Sequence, residues 1–240
     1  MRYWKGFRDG IPIALGYLSV SFAFGIQATA LGLTPLQAVL ISLLNVISAG
    51  QLAGLQLMTT GAGLPEMALT QLTINLRYAL MSISLSQKLD ESMNTLHRLL
   101  ISFANTDEVF AVASSQKGKV GRAYLYGLTN GPVAGWVLGT ALGALAGGLL
   151  PDSVTNALGI AIYGMFIAIV LPPARAMREV RVVVLIAVAM SCLITFLPAL
   201  SFISDGFRII LCAVVASALG AWLLPPPLQD EVDEGKEALD

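Results

Sequence analysis

The chain has 240 residues, of which 56% are hydrophobic and only 12% charged, against about 25% charged in an ordinary soluble domain. With a mean hydropathy of +0.76, this composition argues against a soluble enzyme or a nucleic-acid-binding protein and marks an all-α polytopic membrane protein. The net charge of −1 says little, because in such a chain the placement of charges carries the information.

The basic N-terminus, residues 1–9, precedes an apolar run from Ile11 to Leu33 that is longer than a signal-peptide core, so it reads as a retained first span. Breakers and apolar lengths give eight candidate transmembrane helices: 10–32, 35–59, 65–87, 98–115, 123–150, 154–171, 181–200 and 207–224. The fourth is short and carries Asp107 and Glu108 at its centre. Lys and Arg collect in cytoplasmic loops, and Arg2, Lys5 and Arg8, Lys117, Lys119 and Arg122, and Arg175, Arg178 and Arg181 fall on one side only if this fourth segment crosses. Both termini are then cytoplasmic, the transmembrane domain spans 10–224, and Lys88 and Arg98 stand as exceptions in an opposite-side loop. Residues 225–240 follow a proline stop and read as an acidic, disordered cytoplasmic tail. His97 reads as a solvated loop residue. Cys192 and Cys212 lie in apolar runs and read as small hydrophobes; no metal or cofactor is expected.

Span five carries Gly127, Gly131, Gly135, Gly139, Gly143 and Gly147, one every four residues. Such a stripe lets another helix approach closely; packing within the chain is the first reading, a second subunit or a sliding surface the others. Pro132 adds the expectation of a kink or unwinding.

The third span holds Arg77 near its middle, where a guanidinium cannot shed its proton and costs about 2.5–3.5 kcal/mol on insertion scales. At 100° per residue, Thr70, Thr73 and Arg77 share one face, and Gln71, Asn75, Tyr78 and Ser82 another. Either this helix is walled by polar contacts on two sides or it is unwound at the midplane. Span two adds Ser42, Asn45, Ser48, Gln51 and Gln56, and span four adds Asn105, Thr106, Asp107 and Glu108. One basic and two acidic groups at comparable depth solve each other's burial problem. They either pair to fix packing or stand apart to bind opposite ends of a zwitterion, with one carboxylate able to carry a proton. Enzymatic chemistry is not expected: no buried histidine, Cys/His pair or facing aspartates from separate helices is present.

At these residues the chain resembles the AzlC family, the large subunit of branched-chain amino-acid permeases and exporters. The ordered set is Ser48-Ala49-Gly50-Gln51, Asn75-Leu76-Arg77-Tyr78 and Thr106-Asp107-Glu108. The small-residue run reads Ser-Ala-Gly where Gly-Ala-Ser is usual, and Tyr78 stands where the family often has histidine, which counts against an imidazole proton relay there. The resemblance covers about Gly6 to Leu224. It implies export of Leu, Ile, Val or related amino acids across the inner membrane, together with a small AzlD-type membrane subunit. The expected substrate site is Arg77, Asn75, Gln51, Asp107, Glu108, Gln71, Asn45 and Thr106, with Asp107 or Glu108 as the proton-coupling group. Arg77 and Asn75 would receive the substrate carboxylate and the acidic pair its ammonium. A non-transporting membrane subunit and a channel are the rival functions.

Overall fold

The computed structural model describes residues 2–147, 170–200 and 202–224, with isolated positions between them. The predicted span 154–171 for the most part, the end of span five and the acidic tail lie outside the described residues. Two compact units are present, Met1–Phe166 and Ile167–Asp240.

In the first unit, α1 (Arg2–Ala30) and α7 (Arg122–Ala146) pack in parallel along their lengths, and the reason is the glycine stripe. A Cβ on Gly127 would fall 2.1 Å from Tyr3 O, on Gly135 2.5 Å from Ala14 O and on Gly143 1.9 Å from Phe22 O. Gly6, Gly10 and Gly25 of α1 reciprocate against the backbone of α7. Two helix backbones in direct contact leave no room for any side chain, so the stripe serves packing within the chain. Pro132 sits inside α7 without ending it.

The second predicted span is two helices, α2 (Pro35–Leu44) and α3 (Ser48–Thr59), separated by extended backbone at Asn45 and Ile47. The fourth is likewise α5 (Thr95–Ser102) and α6 (Asp107–Ser115). Each is about 12–18 Å long, half a membrane. Between them α4 (Leu64–Ser86) is one uninterrupted helix of 23 residues, so the alternative of unwinding near Asn75 is not found; polar contacts to other elements are found on the Gln71 and Ser82 side, whereas on the other side Thr73 bonds its own Leu69 carbonyl.

These half-helices turn back rather than cross. Asp90 N–H donates to Val120 O and Val120 N–H to Lys88 O, and Arg2 lies 3.6 Å from Asp90. The 87–94 and 116–121 connections and the start of α1 therefore share one face of the unit, here the first face. Leu85, Met93, Ile101, Ala113, Val120 and Tyr124 form one apolar cluster there. Since α5–α6 leaves this face and returns to it, α4 must begin at the second face. There Ala38 of α2 and Leu55 of α3 share a cluster with Phe24, Ala28 and Ala144. The unit thus contains a long helix followed by a re-entrant hairpin, twice, in opposite orientations: α1 with α2–α3 and α4 with α5–α6, the inverted arrangement common in transporters.

This corrects the reading of 35–59 and 98–115 as crossings and removes its anomaly. With α5–α6 re-entrant, Lys88 and Arg98 join Arg2, Lys5, Arg8, Lys117, Lys119 and Arg122 on the first face, leaving Arg77 as the other basic residue of the unit. His97 is also there, within 2.9 Å of Tyr126 Oη and 3.4 Å of Arg122 Nη1, not solvated in an opposite loop.

In the second unit, α8 (Arg178–Phe196) and α9 (Asp205–Leu223) pack on each other where Gly220 meets Val183. By length and composition α1, α8 and α9 can cross a membrane, and α4 and α7 match them in length. The protein is an all-α polytopic membrane protein.

Candidate functional site

Both hairpin breaks open onto α4 near its middle. At the first, the amides of Ser48, Ala49 and Gly50 precede the first turn bond, Gln51 N–H to Ile47 O at 2.9 Å, and no side chain caps them. The start of α3 is therefore a cluster of amides with no side-chain cap among the described residues, at the positive end of a helix dipole. Gln71 Nε2 donates to Gly50 O at 2.7 Å, and Asn75 Nδ2 donates to Gln71 Oε1 at 3.3 Å. The Gly50 carbonyl sets which end of Gln71 donates, and Gln71 in turn sets Asn75. This leaves Asn75 Oδ1 buried with no hydrogen-bond partner among the described residues.

Gln51 is held differently. Trp136 Nε1–H donates to Gln51 Oε1 at 2.9 Å, Gln51 Nε2 donates to Ser42 Oγ, Ser42 reaches Thr140 Oγ1 at 2.6 Å, and Thr140 donates back to Trp136 O. Every member of this buried ring is satisfied, which fixes the α2–α3 turn to the middle of α7.

At the second break, Thr106 caps α6 by accepting from Val109 N–H, and Asp107 and Glu108 occupy the first turn, where the dipole favours carboxylates. Asn105 Nδ2 donates to Ser82 Oγ at 3.0 Å. Glu108 accepts from Tyr17 Oη at 2.5 Å, and the Tyr17 ring meets the Trp136 ring edge-on, 5.1 Å between centroids. Arg77 Nη2 donates to Asp107 Oδ2 at 2.8 Å and to Tyr78 Oη at 3.0 Å, with its guanidinium 4.8 Å from the Tyr78 ring centroid. Although Arg77 leaves α4 about 200° from Asn75, its side chain reaches back across Tyr78 to the face that meets both hairpins.

The expected site residues thus fall into two adjoining groups: Gln51, Gln71 and Asn75 around the start of α3, and Arg77, Thr106, Asp107 and Glu108 around the start of α6. Asn45 lies in the first break, with no hydrogen bond tying it to the others among the described residues. Ser42 and Ser82, already on the polar faces read from the sequence, complete the network together with Tyr17, Trp136 and Thr140, which carry no chemical signature in the sequence. The Arg77–Asp107 pair is not sealed: 49% of the arginine side chain and 43% of the aspartate remain exposed. A carboxylate or an ammonium can therefore compete for either partner.

A family model described as AzlC protein matches residues 12–150, the stretch that holds both hairpins and every residue of this site. The chain belongs to the AzlC family. Among similar proteins, the inner membrane protein YgaZ of Escherichia coli (strain K12) is 32% identical over 176 residues, covering 70% of this chain and 72% of that protein. An uncharacterized membrane protein of Archaeoglobus fulgidus is 36% identical over 182 residues, 75% of this chain and 79% of its own. One from Helicobacter pylori (strain 26695) is 28% identical over 153 residues, covering 60% and 66%. No solved structure matches. The α8–α9 unit lies beyond the family match.

Proposed function

We propose that this AzlC-family protein is a secondary transporter exporting branched-chain or related amino acids across the cytoplasmic membrane. The observation that carries the reading is the half-exposed Arg77–Asp107 pair at the meeting point of two inward-facing helix starts. A zwitterion can replace both members at once. Its carboxylate forks onto Arg77 beside the free amides of α3; its ammonium meets Asp107, Glu108 and the open acceptor of Asn75. Asn75 therefore reads the ammonium rather than the carboxylate. Once Arg77 turns to the substrate, whichever carboxylate is left unpaired carries the coupling proton.

Positive residues mark the cytoplasmic side, so the first face, and with it the N-terminus, is assigned there. The inner membrane fits the name of the YgaZ relative. A small AzlD-type subunit is the proposed partner, and transport rather than enzymatic chemistry is the proposed role, since His97 is spent on Tyr126 and Arg122 away from the midplane. The test is counterflow of labelled leucine in proteoliposomes, with and without the small subunit and at two pH gradients. Absence of leucine exchange in every condition refutes it.

The closed Arg77–Asp107 contact itself favours a second reading, a non-transporting subunit whose ions only fix assembly. It predicts that Arg77→Gln/Asp107→Asn/Glu108→Gln together preserve flux through the complex; the transporter reading predicts that they abolish it.

A further inference from the structure

Asn105 has no part in the function above, although it stands in the second hairpin break. It is 5% exposed, donates through Nδ2 to Ser82 Oγ at 3.0 Å, and keeps Oδ1 buried with no hydrogen-bond partner among the described residues. A buried amide whose carbonyl stays open is costly, and it is held in place by one bond only. Asn105 comes two residues before Asp107, and Ser82 one turn past Tyr78 on α4. The bond between them therefore adjoins the charged site.

The same two side chains line a cavity of about 90 Å³. Leu85 and Leu89 of α4, Met93, Ile101 of α5 and Leu125 of α7 wall it, and all of these except Leu89 are buried. Ser82 and Asn105 mark its inner end. Met93 and Arg98 mark its outer end, on the first face, where Arg98 Nε donates to Met93 O at 3.3 Å. The cavity thus occupies the depth between the second hairpin break and that face.

Its polar lining is ordered along the helices. Ser86 continues the Gln71, Asn75, Tyr78 and Ser82 face of α4 by one further turn, into the cavity. From the α5 side Arg98, Ser102 and Asn105 enter it at helical spacing, while Leu99, Leu100 and Phe103 between them are exposed and apolar. Polar positions within a membrane segment face the protein interior or a water-filled space. Ser86 and Ser102 give their hydroxyl protons to the Ile83 and Leu99 carbonyls, which leaves their oxygen lone pairs able to accept.

We propose, resting on the transport reading above, that this cavity is the first-face half of the amino-acid route and a sieve for the substrate's side chain. It has room for an aliphatic chain and lies well below the roughly 300 Å³ at which pockets for drug-sized ligands begin. The serine oxygens and Asn105 Oδ1 accept from the substrate ammonium on its way to Asp107, while the leucine, isoleucine and methionine walls hold the chain. The charged site reads the two head groups and the cavity reads the size of what hangs between them.

The experiment narrows the cavity and reads chain-length preference in counterflow by the full-length chain. Ser86→Val adds a branch to the wall and shifts the ratio of leucine to valine exchange toward valine on the order of tenfold, the worth of one methylene in an apolar pocket. Ser86→Ala, no bulkier than serine, and Ser84→Val, exposed on the other side of α4, leave the ratio unchanged. A second measurement serves where Ser86→Val does not fold. In the chain cleared of Cys192 and Cys212, an impermeant thiol reagent labels Ser102→Cys from the side that labels Lys117→Cys, leucine slows that labelling, and Leu99→Cys on the apolar surface stays unlabelled. An unchanged ratio in folded Ser86→Val, or a Ser102→Cys that is unlabelled from that side or indifferent to leucine, overturns the passage. Wild type that exchanges no leucine defeats the transport reading itself, whereas normal exchange with these negative results defeats the passage alone.

Discussion

Arg77→Lys separates charge from geometry. In the resting structure one nitrogen, Nη2, serves both Asp107 at 2.8 Å and Tyr78 at 3.0 Å, and no hydrogen bond occupies Nε or Nη1 among the described residues. The guanidinium can therefore keep the Tyr78 contact while presenting a second N–H to a substrate carboxylate, which a single ammonium on a flexible stem cannot do. Losing one charge-assisted hydrogen bond costs about 1.5–3 kcal/mol, or about 10- to 150-fold in the equilibrium it supports. The expected outcome is leucine counterflow reduced by that factor, with the chain still monodisperse and its melting midpoint little changed, because lysine still neutralises Asp107. Asp107→Asn is the companion: it leaves Arg77 without its ionic partner in the resting state, so it lowers the melting midpoint as well as flux. Full exchange by Arg77→Lys refutes bidentate carboxylate recognition. A fall in stability without a fall in flux per folded molecule refutes a substrate role altogether.

Three further outcomes follow from the fold. Gly143→Ala, whose new methyl would lie 1.9 Å from Phe22 O, destabilises the α1–α7 pair by about 1–3 kcal/mol in thermal melts, whereas Gly16→Ala, with nothing within 4 Å, is neutral or slightly stabilising. In a chain cleared of Cys192 and Cys212, an impermeant thiol reagent applied from one side labels Glu91→Cys together with Lys117→Cys, and Ala62→Cys only from the other; labelling of Glu91→Cys and Lys117→Cys from opposite sides refutes the re-entrant α5–α6. The hydrogen bonds from Ser92, aided by Arg2, hold the Asp90 carboxyl below its ordinary value. A carboxylate depressed in the folded state adds stability above its unfolded pKa of about 3.9 and loses it as the pH falls through the folded value. The melting difference between wild type and Asp90→Asn is therefore constant from pH 7 to 5.5 and shrinks only in stronger acid; a difference that vanishes near pH 6 contradicts this origin.

The long helices and the chemistry at their middle were legible because charge and polarity leave few options in an apolar chain. One of the two polar faces of α4 meets both hairpins, with Gln71, Asn75 and Ser82 along it, and Arg77 reaches round to it from the other. What sequence periodicity could not separate was a crossing from a pair of half-helices, since both present about twenty apolar residues to a hydropathy window. The break at Asn45-Val46-Ile47 contains neither glycine nor proline. The second break did carry a signal: Thr106 followed by Asp107 and Glu108 is an N-cap with an acidic first turn, the mark of a helix start inside what was read as one helix. The other clue was Lys88 and Arg98, whose apparent violation of the charge rule came from an assumed crossing. Tyr17 and Trp136 were not legible, because an aromatic residue in an apolar helix gains a role only from what the fold sets beside its polar atom.

The inverted hairpins also explain why one arginine in α4 suffices. By symmetry of construction, α3 and α6 both aim a positive helix start at the midplane, and two such ends facing a guanidinium would be a site for anions alone. The sequence breaks that symmetry chemically. The start of α3 carries Ser48, Ala49 and Gly50, which add no charge and leave the amides open, while the start of α6 carries Asp107 and Glu108, which reverse the sign of the dipole beneath them. In the proposed function one end receives the anionic group of the substrate and the other its cationic group, with Arg77, which closes on Asp107 in the structure, between them. With no ligand it closes on Asp107 and removes the mismatch from the membrane interior. A zwitterion of suitable length substitutes for that internal pair at little electrostatic cost, whereas a simple anion or cation leaves one end uncompensated. The selectivity that follows is for the pair of head groups rather than for the side chain, and it is measurable: isocaproate and 3-methylbutylamine, which keep leucine's branched chain but carry one charge each, should fail to compete with leucine in counterflow, while valine and isoleucine compete. Competition by either singly charged analogue at leucine's own concentration would show that the two hairpin ends do not act together.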